Sequence, residues 1–459
     1  MAGKRSTIDM TSGNLPGKIL LYAVPLALTY LLQLAFHAAD MVVIGRWGSP
    51  ESLAAIGATH AILGLLLNVV TGISTGANVL AAHYYGAKDS KNMTRLVHTT
   101  IAASFIGGIA VAVIGVTTIR FLVTATGIPE ESQSRSILYL LLCFTGVPFQ
   151  IVYNFGCAIL RAVGDTKAPL YFLCLAGTLN VVLNIIMVVC FKMDVAGVAI
   201  ATAISQVLSA YLVLRRLYKY HGSIRLIFRN IRIEKKSLKG ILRIGLPAGL
   251  QSGCFSVSNI VVQSGINTFG VAAVAGMTAG MNLESLLYSL NYAMHHTCIA
   301  VVGQNYGAKE YKRVINSVYI CMAITTALLL VAGNLMSIFA PQMVSIFSSD
   351  PEVIRFGVLR AHEMFVIYFV LGFMDTSSGA LRGLGKSLLP AISVIMGTCV
   401  LRIFWVKYIF PHFPTLENLL LVYPVSWGLV ATLNLTVLFI ICYKLIHSKN
   451  SRLMQISGN

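Results

Sequence analysis

Between Ile19 and Ala39 the chain carries no Lys, Arg, Asp or Glu. About 20 such residues are what a helix needs to cross the ~30 Å hydrocarbon core of a bilayer. Polar side chains nevertheless recur in the stretch from Ile19 to Ile44, at Tyr30, Gln33, His37 and Asp40. Steps of 3, 4 and 3 put all four on one helical face. Pro25 lies one to two turns before them and predicts a kink. A charged acid at the centre of such a helix costs roughly 2.5–3.5 kcal/mol on insertion scales, so Asp40 needs a partner, a proton or a water-filled cavity. The plainer alternative places Asp40 among the headgroups, because the following loop begins near Arg46.

Comparable apolar stretches recur along the chain. Hydrophobic residues make up 56% of it and charged residues only 11%, against about 25% charged in a soluble domain. The chain therefore reads as an all-α polytopic membrane protein with spans at 17–45, 52–84, 92–120, 133–160, 167–191 and 195–218, then 239–268, 271–304, 313–339, 353–381, 387–410 and 417–445. Some exceed the bilayer core and must tilt or project into water. The implied organisation is an N-terminal arm (1–16), an N-lobe (17–218), a basic linker (219–238), a C-lobe (239–445) and a tail (446–459). Residues 1–15 are polar and expected to be poorly ordered. The first apolar stretch is longer than a signal-peptide core and lacks a cleavage site, so no secretory peptide is expected.

The formal charge of +18 does not point to nucleic acid, because the charges cluster between spans. If both termini and the even-numbered loops share one side, that side holds 26 of the 34 Lys and Arg residues, and the positive-inside rule makes it the cytoplasm. Ten of these lie between Arg215 and Arg243, where they set topology and attract anionic lipid headgroups. The nine cysteines contain no C-x-x-C pair and read as small apolar fillers. His295-His296 is the one close histidine pair and has no metal-binding spacing, so neither an enzyme nor a metal centre is expected.

The two halves repeat. Tyr85-Gly86-Ala87-Lys88 returns as Tyr306-Gly307-Ala308-Lys309, and Leu160-Arg161, Gly164 and Pro169 return as Leu381-Arg382, Gly385 and Pro390, all at an offset of 221; Pro25 and Pro247 match at 222. Ordered matches at one offset mark a duplication. Six spans per half make the repeats parallel, related by an axis along the membrane normal. Gly86 and Gly307 are expected to end helices with positive φ, and Arg161 and Arg382 to meet a helix C-terminal dipole. The halves differ in their acids: Asp40 maps onto Val262, and Asp375 onto Asn154. Glu284 and Glu363 are further acids inside or near spans, Glu284 reading equally as a cavity acid or a hydrogen-bond partner, and Arg402 is a cation within the eleventh span.

The stretch from Pro25 to Asp40, the G-A-N-x-L-A-A-x-Y-Y-G-A-K run ending at Lys88, the A-I-L-R-A-x-G-D run from Ala158 and V-G-Q-N-Y-G-A-K ending at Lys309 together resemble the multidrug and toxic compound extrusion (MATE) family, in a bacterial form nearer its DinF-like branch. The resemblance covers essentially the whole chain. It implies twelve transmembrane helices in two six-helix lobes forming a V, exporting organic cations and drugs in exchange for H⁺ or Na⁺. It also implies a coupling site at Asp40, Asn180, Asn184 and Thr202, with Asn184 standing where some members have Asp. That departure removes one negative charge and favours a proton over sodium. Asn180 and Asn184 share a helix face in any case, and their plainer role is to hold helices together.

No cofactor beyond a coupling ion, H⁺ or Na⁺ at Asp40, is expected. The expected partners are small, mainly cationic organic molecules and membrane lipids, with the chain a monomer in the bacterial inner membrane and both termini cytoplasmic. Tyr30, Gln33, His37, Asn154, Glu284 and Asp375 are candidate cavity residues, and Pro25 and Pro247 candidate kinks. The competing readings are a lipid-linked oligosaccharide flippase of the same superfamily and a major-facilitator transporter. The latter's G-x-x-x-D-[RK]-x-G-[RK]-[RK] loop is not matched between Gly86 and Arg95.

Overall fold

The computed structural model describes residues 7–125 and 130–457. The first six residues of the N-terminal arm and the last two of the tail lie outside the described residues. Twelve helical spans follow one another. The first six are α1 (Leu15–Trp47), α2 (Pro50–Gly86), α3 (Ser90–Ala125), α4 (Glu130–Ala162), α5 (Lys167–Asn184, prolonged by a wide π-type turn, Ile185–Cys190) and α6 (Asp194–Tyr218). The second six are α7 (Lys235–Ile266), α8 (Val271–Gly307), α9 (Tyr311–Ile338), α10 in two segments (Pro351–Phe365 and Phe369–Gly383), α11 (Leu388–Val394, a π-type turn at Ile395–Val400, Leu401–Phe404 and another such turn at Trp405–Ile409) and α12 (Leu416–Ser457). The structure is thus the all-α fold of two six-helix repeats. The last helix continues past 445, so the expected tail begins as helix.

Among the described residues nine helices are long and apolar enough to cross a membrane, and the two parts of α10, bent by 51°, make a tenth. The remaining two spans are α7 and α8. Both carry polar side chains along their length: α7 has Gln251, Asn259 and Gln263, and α8 has Asn282, Glu284, Asn291, His295 and His296. Helix starts follow ordinary capping chemistry. Ser49 accepts the Ser52 N–H ahead of α2, and Asp350 accepts the Glu352 N–H ahead of Pro351 in α10. Asp89, between α2 and α3, accepts both the backbone and side-chain N–H of Asn92, and these bonds hold its carboxyl below the usual range.

The chain forms two compact units, one of residues 1–9 and 28–249, the other of residues 10–27 and 250–459. Sequence division assigns residues 17–27 to the first half and 239–249 to the second; by packing, each belongs with the opposite unit. Both crossings fall two residues after a proline, Pro25 in α1 and Pro247 in α7, and both helices continue through it. The core of the first unit is built around Phe144, Ile151, Leu160 and Val213. That of the second is built around Leu283, Phe365, Leu371 and Trp427. Outward apolar faces stay uncovered, as on α3 at Ile106, Val113, Ile114 and Phe121, which suits a hydrocarbon solvent.

Lipid is as apolar as Leu, so close packing has to hold such helices together. In the first unit a Cβ at Gly76 would stand 2.2 Å from the Ile241 carbonyl oxygen, and one at Gly245 2.2 Å from that of Ile73. Only glycine permits α2 and the start of α7 to approach so closely.

Two expectations change. The left-handed residues ending α2 and α8 are Lys88 (φ 55°) and Lys309 (φ 62°), not Gly86 and Gly307. Each helix keeps helical geometry through its glycine, and the reversal comes two residues later. The described part of the N-terminal arm is also tied down. Met10 is fully buried and donates its N–H to Gln304 at 3.0 Å, while the Arg313 guanidinium donates to the carbonyls of Met10, Ser12 and Gly13.

Candidate functional site

In the first unit, α1 and α5 come close because Gly177 has no side chain: a Cβ there would stand 2.1 Å from the Phe36 ring. One turn further on, Asp40 of α1 meets Asn184 of α5. The Asn184 Nδ2 group donates to Asp40 Oδ1 at 2.5 Å and to Asn180 Oδ1 at 3.3 Å. Asn180 Nδ2 in turn donates to Thr202 Oγ1 of α6 at 3.3 Å. The four residues that the resemblance implies therefore form one hydrogen-bonded chain across three helices. Asn184 is fully buried, and its Oδ1 is a buried acceptor with no partner.

This arrangement can respond to a proton. An ionised Asp40 only accepts, and the Asn184 amide offers it an N–H. A protonated Asp40 has an O–H to donate, and the unpaired Asn184 oxygen becomes its natural acceptor once the amide rotates. The carboxylate and the two amide oxygens are also hard-cation donors. Of the other candidates on α1, Tyr30 and His37 are half-buried, whereas Gln33 is exposed. Asn154 stands half-buried on α4.

The second unit holds a separate polar cluster around Asp375 of α10. Asn291 Nδ2 of α8 donates to Asp375 Oδ2 at 2.6 Å. His295 Nδ1 lies 2.7 Å from the Asp375 backbone oxygen, and Arg382 Nη1 lies 3.1 Å from His295 Nε2. A carbonyl only accepts and a guanidinium only donates, so the ring is the neutral Nδ1–H tautomer. Arg382 Nη2 reaches Gln251 Oε1 of α7 at 2.6 Å. Arg382 does lie in the last turn of α10, but its head group is spent on these side chains rather than on the helix dipole. Each unit thus contains an Asp–Asn pair, built from non-equivalent helices. Asn291, His295 and Gln251 give no signal of their own in the sequence, since their partners lie some 80 to 130 positions away.

Glu284 is an ion-pair partner. Arg360 donates to its Oε2 through Nε at 3.1 Å and Nη2 at 2.6 Å, with Arg360 only 2% and Glu284 15% exposed at the side chain.

Fold and site together define a polytopic membrane protein whose duplicated six-span units each enclose a carboxylate–amide pair. The MatE family model matches residues 25–186 and 247–407, and the chain belongs to that family. It is similar to a probable multidrug resistance protein, YoeA, of Bacillus subtilis, with 26% identity over 87% of this chain and 88% of the relative. It is also similar to an FAD transporter of Shewanella oneidensis, with 24% identity over 89% and 91%. Among solved structures, an outward-facing multidrug resistance MATE family transporter superimposes with a TM-score of 0.89 at 22% identity, covering 97% of this chain and 99% of that one. That likeness concerns the fold.

Proposed function

We propose that the protein is a secondary active exporter of small organic cations, working in antiport with H⁺ by alternating access. One observation carries the reading: Asp40 faces a fully buried amide that can serve either protonation state, with one oxygen left unpaired. Multidrug resistance relatives over nearly the whole chain support the export of drug-like molecules. One relative is named for FAD, so family membership alone does not fix the cargo.

Protonation from outside removes the charge on Asp40 and rearranges its bond to α5. Loss of that charge weakens the hold on a cationic cargo and favours its release. Deprotonation inside restores a negative site for the next cation. The membrane potential adds about 2.3 kcal/mol per charge per 100 mV. Sodium is the second candidate ion, and Asn184 in place of an acid leaves it one carboxylate. We place the chain as a monomer in the bacterial inner membrane with both termini and the 219–238 linker in the cytoplasm.

The test is uptake of a cationic dye into inside-out vesicles, with proton and sodium gradients imposed separately. Accumulation driven by the proton gradient, and lost in Asp40→Asn at equal protein level, is expected. Accumulation needing neither gradient would refute antiport.

A further inference from the structure

Resting on that export reading, the internal repeat leads to a second place of interest. The offset of 221 carries Val181 onto Arg402 and Thr202 onto Tyr423. The helices α1, α5 and α6, which build the Asp40 site, correspond to α7, α11 and α12. In the second unit those three helices converge on Arg402, which is fully buried. Its Nη1 donates to Asn259 Oδ1 of α7 at 2.8 Å, and its Nε and Nη2 donate to Ser426 Oγ of α12 at 3.3 Å. Its guanidinium carbon sits 4.3 Å from the centroid of the Tyr423 ring and 5.1 Å from that of Phe255.

All these partners are neutral. Arg360, the other buried cation against Tyr423, at 5.5 Å from the ring centroid, holds the neighbouring carboxylate, Glu284. Among the described residues Glu284 is bonded to Arg360, and Arg402 forms no ion pair of its own. The excess also shows in hydrogen bonding: Arg360 Nη1 and the Trp427 indole N–H, which packs against Tyr423, are buried donors with no acceptor. A buried, uncompensated cation is costly in a bilayer, and surplus donors call for oxygen acceptors carrying negative charge. Asn259, Phe255 and Glu284 beside these groups are half-buried.

We propose that the second unit holds a subsite for an anionic group, a carboxylate or other oxyanion borne by the exported compound, with Arg402 as its main contact and Arg360 and Trp427 flanking it. The duplication has diverged into a carboxylate site in one unit and a guanidinium site at the corresponding place in the other.

Binding of two probes to the purified full chain tests this by calorimetry: a zwitterionic rhodamine with a free carboxylate, and its methyl ester, a pure cation. The wild type should favour the acid by about tenfold or more, the scale of one charge-assisted hydrogen-bonded contact. Arg402→Gln should bring the acid-to-ester ratio close to one. Asn259→Asp gives Arg402 an internal counter-ion without emptying the site, so it should do the same even where Arg402→Gln fails to fold. Arg402→Lys should keep part of the preference. A wild type that does not favour the acid, or variants that weaken both probes alike with the ratio intact, overturn the subsite. Failure of the ester to be exported from vesicles under any gradient would refute the export reading instead, while the binding ratio still decides the subsite.

Discussion

At the scale of residues, the acids inside spans divide by their partners. Asp40 and Asp375 each face a neutral amide, and Glu284 faces a guanidinium. Removing one member of a buried ion pair leaves the other charge stranded, at a cost of about 3–5 kcal/mol, whereas replacing both with apolar groups is often neutral. The first unit already shows such a replacement: at offset 221, Glu284 and Arg360 correspond to Leu63 and Tyr139. Glu284→Leu should therefore lower the thermal unfolding temperature of the purified protein markedly, and Glu284→Leu with Arg360→Tyr should recover most of the loss. Asp40 was readable in the sequence as an acid standing out in an apolar run, whereas Asn180, Asn184 and Thr202 were named only through the family resemblance. The Asp375 cluster was not readable as a whole. Asn291, His295 and Gln251 join it through contacts between distant helices, which leave no local spacing behind.

At the scale of elements, the apolar stretches of the sequence marked all twelve spans, those at 239–268 and 271–304 included. The polar side chains of α7 and α8 are used inside the second unit, on Arg402, Arg382, Asp375 and Arg360. Turn chemistry misled at Gly86 and Gly307, where a glycine at a helix end suggested the left-handed residue that is in fact the following lysine. The glycines with a clear steric role lie mid-helix instead. Gly76→Val would drive a side chain into the Ile241 carbonyl, and Gly245→Leu into that of Ile73. Each should sharply reduce the yield of monodisperse protein in detergent, with Gly76→Ala milder than Gly76→Val; full yield from Gly76→Val would contradict the close crossing.

At the scale of the whole molecule, duplication explains both what is shared and what is not. The halves share the prolines of α1 and α7, the left-handed lysines, Gly164 and Gly385 with positive φ, and the wide turns in α5 and α11. They differ in charge at corresponding places. The exchange of helix ends between units was not legible, because sequence order assigns a helix to one half and only packing shows which unit holds each end. The central claim is that Asp40 couples cargo movement to a proton. Proteoliposomes loaded with a pH-sensitive dye, and given an outward-directed or inward-directed gradient of an organic cation with no other driving force, test it most directly. The account predicts that internal pH rises as the cation enters and falls as it leaves, in the wild type without sodium, and that neither change occurs in Asp40→Asn. Cation flux without any pH change, or an undiminished pH change in Asp40→Asn, would contradict it.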